Sequence, residues 1–308
     1  MMGSSLHGLA LRRLRADTVA YAALLALLAM LAVAVLGKLT TEWLVVFDPA
    51  EVRLPDKLRP PLSPASEDIP QKLRPLFGIY LLGTDDLGRD VFARMLQGSF
   101  VSLSIGFVAM AISVVVGVAV GALAGFHGER RIGPVTLDMV LMRLTDVMLC
   151  FPAFFLVLTV VALLPPSIYY VMVVLGLTGW MGIARLVRAE FLSLKRRDFV
   201  LAARAVGISP TRIAIVHILP NAMGPVLVSA TIAVASAILV ESALSFLGFG
   251  VQPPNATWGS ILADGRSYIF DAPWLFMTPA AAIFAVVLCF NLVGESLRES
   301  MNPRINER

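Results

Sequence analysis

Apolar runs long enough to cross a bilayer recur along the chain, at 19–37, 101–125, 138–163, 168–187, 225–244 and 276–297. A hydrocarbon core is crossed by about 20 residues of α-helix. Within it, backbone N–H and C=O groups must be satisfied inside the segment itself. The runs therefore predict an all-α polytopic membrane protein with six transmembrane helices, with no single water-excluded core. Composition agrees, because only 15% of residues are charged and 58% are hydrophobic, where soluble domains carry about 25% charge. The first run, following "LRRLRAD", competes with a signal peptide. It is long for such a segment and "VAVLGKL" is a poor cleavage site, so it reads as an uncleaved span. Between the third and fourth runs, Pro165 and Pro166 in "LLPPSI" mark a tight break. Cys150 and Cys289 fall inside apolar runs and read as small buried hydrophobes.

The charges orient the spans. Arg12, Arg13 and Arg15 precede the first span, and Arg130 and Arg131 separate the second from the third. Seven basic residues lie between Arg185 and Arg212, and Arg298, Arg304 and Arg308 end the chain. Lys and Arg concentrate on cytoplasmic segments, which places both termini inside. Because the basic residues cluster at span ends, the net charge of +4 carries no argument for nucleic acid. The organisation that follows is a cytoplasmic segment 1–18, a first helix 19–37, and an extracytoplasmic loop 38–100. A transmembrane domain 101–297 then holds a cytoplasmic loop 188–224, before a tail 298–308. In "GRDVFARMLQGS", Val91, Phe92, Met95 and Leu96 share one helical face, which predicts a short interfacial helix before the second span. Trp258 and Trp274 are candidate interfacial anchors.

Inside the membrane, Gly117, Gly121 and Gly125 follow Ser113 at four-residue spacing. Small residues so placed let two helices approach closely, and the partner helix stays open at this point. Asp146, Glu241 and Glu295 fall near span ends, where snorkelling and interfacial water lower the cost of charge. His217 has no Cys, His or carboxylate at ligand spacing and reads as a structural or interface residue.

The stretch "RRDFVLAARAVGISPTRIAIVHILPN" sits between the fourth and fifth spans. Phe199, Ala202, Ala203 and Val206 form an apolar side of a first short helix, interrupted by Gly207. Ser209 is a candidate N-cap and Pro210 suits the first position of a second helix, which Pro220 closes or kinks. By chemistry alone, an amphipathic linker and a helix docking on another protein fit equally well.

This segment resembles the cytoplasmic loop of ABC importer permeases. Ala202 and Ala203 hold the paired alanines, Gly207 the glycine and Leu219–Pro220 the end of the pattern. Leu201 replaces the acidic residue and His217 the isoleucine, both as in the dipeptide/oligopeptide branch. "LLGTDDLGRDVFARMLQGS" resembles that branch's outer signature, with Gly83, Asp85, Gly88, Arg89, Asp90 and Arg94 at its characteristic positions. Phe100 stands where arginine is common. "ALSFLGFGVQPPNATWGSIL" and "NLVGESLRESMNPR" resemble its outer loop and tail, with Asn302 in place of a common aspartate. The similarity runs over about residues 15 to 304 and is closest to the DppC/OppC type of subunit.

The resemblance implies the type I importer permease architecture with a coupling helix over Phe199 to Ile218. It implies a non-catalytic subunit that binds no cofactor or metal itself. Its partners would be a paralogous permease of the DppB/OppB type, two cytoplasmic ABC ATPases that use ATP and Mg, and an extracytoplasmic peptide-binding protein. The sequence agrees with that division, since it holds no "GxxxxGK[ST]" phosphate loop. The expected cargo is di- or oligopeptides, with nickel chelates, glutathione or another small solute as alternatives. A secondary transporter is the weaker reading: no inverted repeat is evident, and the cytoplasmic loop would go unexplained. No Ser/His/Asp or metal constellation supports an intramembrane enzyme.

Overall fold

The computed structural model describes residues 17–44, 46–71, 74–75 and 78–300. Arg12, Arg13, Arg15, Asn302, Arg304 and Arg308 lie outside the described residues. Helix α1 (Thr18–Lys38) opens at Asp17, whose carboxylate accepts from the backbone N–H groups of Val19 and Ala20. A π turn over Leu39–Trp43 prolongs it. Helix α2 (Val91–His127) is 37 residues long and starts at Asp90, which accepts from the Phe92 N–H at 2.8 Å. The separate interfacial helix expected before the second span is therefore not formed. No proline interrupts this stretch, and its face instead continues straight into the membrane helix.

The third span is also different from expectation. Helix α3 (Leu137–Cys150) and helix α4 (Ala153–Leu163) meet at 83°. Pro152 lacks an N–H and holds Phe151 in extended backbone (φ −86°, ψ 132°), which a continuous helix cannot accommodate. Helix α5 (Ile168–Leu194) leads to the short α6 (Asp198–Ala205). Helix α7 (Pro210–Phe246) then runs unbroken through Pro220. It does so because the turn Ile213–Ile218 is widened: the Leu219 N–H reaches back five residues to the Ala214 carbonyl. Such a π segment shifts the hydrogen-bond ladder just ahead of the proline. Helices α8 (Trp258–Gly265) and α9 (Trp274–Ser300) complete the chain. Among the described residues, α1, α2, α5, α7 and α9 are each long and apolar enough to span a membrane. The bent α3–α4 pair makes a sixth.

Packing centres on α2, which packs on α5, α7 and α1, and α5 and α7 also meet each other. Leu27 of α1, Leu103 of α2, Ile238 of α7 and Val286 of α9 share one buried cluster with Trp258. Trp258 is thus core rather than an interfacial anchor. Trp274 instead donates its indole N–H to the Thr84 carbonyl at 3.2 Å. Of the two cysteines, Cys289 is buried but Cys150, at the α3–α4 break, is exposed. Glu241 is not at a watery helix end either, being fully buried in α7 with one oxygen taking the Ser245 hydroxyl at 2.7 Å. The segment between α1 and α2 carries an antiparallel pair, β1 (Ser63–Pro64) and β2 (Ile79–Tyr80). Buried Asp56 pins it by accepting from the Tyr80 hydroxyl at 2.6 Å and from the Ser66 N–H. A second small hairpin, β3 (Arg131–Ile132) with β4 (Val135–Thr136), joins α2 to α3.

Candidate functional site

The glycine stripe of α2 meets α5 of the same chain, which resolves the partner that spacing left open. A methyl group on Gly117 would lie 2.7 Å from the Ile183 Cβ, and one on Gly125 2.6 Å from the Phe191 Cβ. Between them, Gly121 faces the Ala184 carbonyl and the Val187 side chain. Ser113 closes the seam by donating to the Gly176 carbonyl at 2.9 Å. The two backbones touch along almost four helical turns, which makes α2 and α5 one stiff unit.

Beside that unit is a cavity of about 540 Å³ between α2, α4, α5 and α7. Its wall includes Ala109, Phe154, Gly179, Gly182, Ser229 and Ser236, and none of its lining residues is charged. Three of its hydroxyls are occupied by backbone: Ser113 as above, Thr178 on Val174 O and Ser229 on Pro225 O. The 83° break at Phe151–Pro152 is what brings α4 across to form this wall, a feature the hydropathy of 138–163 could not reveal.

Along the C-terminal half of α5, ion pairs fix it to α3 and to the turn that follows α2. Arg185 reaches Asp146 at 2.5 Å, Arg188 grips Asp138 through both nitrogens at 2.5 and 2.6 Å, and Lys195 reaches Glu129 at 3.1 Å. In sequence these cations served only to orient the chain; their carboxylates lie 39 to 66 residues away.

Beyond Lys195 the chain turns into α6. Val200 and Ala203 face the rest of the chain, while Phe199, Ala202 and Val206 of the apolar side read from sequence are exposed with Leu201. Val206 is 81% exposed. Gly207 has φ +82° and ends the helix in a two-bond cap: its N–H bonds Arg204 O, and the Ile208 N–H bonds Ala203 O. That is the Schellman arrangement, which needs a left-handed residue at this position. Ser209 holds the N-cap position of α7 with no side-chain cap bond, and its carbonyl accepts from Ile213 N–H. Pro210 stands at the first helical position as expected. His217 is half-buried in the π segment, its carbonyl accepting from the Asn221 amide at 2.7 Å. Leu219 and Pro220 continue α7 toward the cavity.

Around the start of α2, the signature residues form one network. Asp85 is fully buried and accepts from Arg89 Nε and Arg94 Nη1, both at 2.6 Å. Both arginines also reach Asp264 on α8, at 3.4 and 2.9 Å. Gly83 and Gly88 take positive φ, and a side chain at Gly88 would collide with the Arg53 carbonyl. Asp90 caps α2, and burial pushes its carboxyl above the ordinary range despite hydrogen bonds from Phe92 and Ala93. Gln97 and Ser102 of α2 accept from the N–H groups of Ala256 and Trp258, docking the start of α8. Sequence reasoning missed Asp264, Gln97 and Ser102, since nothing local marks them as partners of residues more than 150 positions away. Lys38 Nζ of α1 lies 4.2 Å from the centre of the Phe100 ring.

The chain matches the model of the binding-protein-dependent transport system inner membrane component over residues 117–307. It is 39% identical to the dipeptide transport system permease protein DppC of Alkalihalophilus pseudofirmus over 223 residues, covering 72% of this chain and 71% of the relative. It is 38% identical to the di/tripeptide transport system permease protein DppC of Pseudomonas aeruginosa, covering 87% and 83%. Against the oligopeptide transport system permease protein OppC of Bacillus subtilis the identity is 37%, covering 73% and 72%. Among solved structures it resembles an inward-facing form of the MetNI methionine ABC transporter, with TM-score 0.54 and 19% identity, over 69% of this chain and 98% of that one. The chain belongs to the binding-protein-dependent transport system inner membrane component family. It is a non-catalytic permease subunit of an ABC importer with that family's membrane fold.

Proposed function

We propose that this chain forms one half of a pathway for di- and oligopeptides delivered by an extracytoplasmic binding protein. A paralogous permease supplies the other half, and two cytoplasmic ATPases supply the ATP and Mg chemistry. Both termini then lie in the cytoplasm, and α6 is the coupling helix. Phe199, Ala202, Ala203, Gly207, Ser209, Pro210, His217, Leu219 and Pro220 belong to that coupling element. Ser113, Gly117, Gly121 and Gly125 keep α2 and α5 moving as one body. Gly83, Asp85, Gly88, Arg89, Asp90 and Arg94 hold the outer surface on which a binding protein docks.

One observation carries the reading: α6, with Phe199 and Leu201 exposed, is linked on both flanks to helices that wall a neutral cavity. Movement of α6 passes at the Gly207 turn into α7, which forms one wall of the cavity. On its other flank, α6 follows α5, a second wall. An ATPase that displaces α6 therefore biases two packings of the same helices, which is what alternating access requires. The peptide assignment rests on the relatives named above and on a wall that presents no fixed charge to a varied cargo.

The test is reconstitution of the complete transporter in proteoliposomes with its binding protein. ATP-dependent uptake of labelled dipeptides, longer peptides and a nickel chelate is followed in parallel. Peptide accumulation is expected. Chelate uptake with no peptide accumulation would overturn the cargo and leave the permease intact. The permease purified alone should release no phosphate from ATP.

A further inference from the structure

The helical glycines of this chain nearly all have a packing reason: a methyl group added at Gly106, Gly117, Gly176 or Gly259 would press within 3 Å of a neighbouring residue. Gly182, in the middle of α5, does not. An added Cβ there meets nothing within 4 Å, its backbone is ordinary helix, and it lines the cavity. Glycine is a poorer helix former than alanine because it loses more backbone freedom on ordering. Neither close packing nor backbone geometry calls for glycine at this position. What it leaves is space.

The wall around it discriminates poorly by chemistry. It carries no charged side chain, and the hydroxyls of Ser113, Thr178 and Ser229 are already engaged with backbone. Ser236 is the exposed hydroxyl that remains. Selection at such a wall falls on volume. Helices α4 and α7 line the same cavity, so a side chain grown from Gly182 takes up part of its volume.

We propose that Gly182 is a specificity-determining residue that sets the largest cargo this half of the pathway admits. The inference rests on the peptide reading above. The substrate class it assigns is peptides whose bulk, rather than charge, decides passage.

The complete transporter carrying Gly182→Ala, Gly182→Val or Gly182→Leu is reconstituted with its binding protein. Uptake of dialanine, a hexapeptide of alanines and a hexapeptide rich in phenylalanine is compared, together with stimulated ATPase activity. Dialanine uptake should hold within about twofold while the bulky hexapeptide falls roughly tenfold or more as the side chain grows, the scale expected of a steric pocket. Should the leucine variant assemble poorly, alanine and valine still give the graded ratio. Equal losses for all cargoes at normal complex abundance overturn the proposal, as does an unchanged ratio. Wild-type transporter that accumulates no peptide at all defeats the peptide reading and this inference together. Wild-type peptide uptake with an unaltered size ratio defeats this inference alone.

Discussion

Arg94 Nη1 lies 2.6 Å from Asp85 Oδ2, and both side chains are almost wholly out of water. The same guanidinium reaches Asp264 Oδ2 at 2.9 Å with its other nitrogen. One arginine thus joins the loop before α2, the first turn of α2 and helix α8. The fork of the guanidinium allows this, since a lysine would offer one point charge for two diverging carboxylates.

Arg94→Ala should therefore destabilise strongly. It leaves a buried Asp85 with Arg89 alone, and breaking a buried pair from one side costs about 3–5 kcal/mol. Thermal unfolding of the detergent-purified complex is the readout, with recovery lower than wild type. Arg94→Lys should restore only part of the loss. A wild-type melting temperature for the alanine variant would show that the network is ornamental to stability.

The spans and the two helices broken at Gly207 were legible in sequence because hydropathy and glycine-proline punctuation are local signals. The helix limits were less so: Pro220 stops nothing, since a π turn over Ile213–Ile218 absorbs the missing donor. On α6, Val200 and Ala203 turn inward while Phe199 and Ala202 stay exposed, with Val206 just beyond. In a helix with apolar residues on both sides, periodicity alone does not say which side meets the same chain. The Asp85–Arg94 pair sits within one motif, but its closure by Asp264, 170 residues on, is a tertiary fact. The cavity depends on an 83° bend whose angle no hydrophobic pattern encodes.

Gly121→Val should separate packing from pathway. Its Cβ would fall 2.8 Å from the Val187 Cβ and against the Ala184 carbonyl, which is backbone and cannot rotate away. Overpacking of this kind costs about 1–3 kcal/mol. The melting temperature should drop for Gly121→Val, whereas Gly182→Ala, with open space around it, should lose nothing. Equal melting temperatures for the two variants would remove the α2–α5 seam as a structural element.

Asp90 gives a pH signature. Burial raises its carboxyl above the ordinary value, only partly offset by the N–H groups of Phe92 and Ala93 and by Arg53. The folded chain therefore holds this proton more tightly than the unfolded chain. The charge costs stability above the folded value, and the cost fades as pH falls through that value. Asn caps a helix about as well as Asp, without the charge. Asp90→Asn should melt above wild type at pH 7 to 8, with the difference shrinking on acidification, while Asp90→Ala should lose about 1 kcal/mol of cap energy. An Asn variant less stable than wild type at neutral pH would assign the carboxylate a net favourable role instead.

Gly207 tests the coupling element through its backbone alone. Its φ of +82° closes the cap of α6, yet nothing lies within 4 Å of where a Cβ would stand. Substitution therefore creates no clash, and its whole effect is the cost of a left-handed residue, about 1–2 kcal/mol for an L-amino acid. A β-branched side chain bears that cost in full, while Asn visits this region more readily. Gly207→Val should leave the complex intact, because the buried contacts of Val200 and Ala203 are untouched, but should shift or fray the turn between α6 and α7. Binding-protein-stimulated ATPase activity and uptake should then fall together, and Gly207→Asn should recover a good part of both. Normal uptake by the valine variant at normal complex abundance would defeat this account. So would an asparagine variant as impaired as valine, since the loss would then not follow the handedness of the backbone.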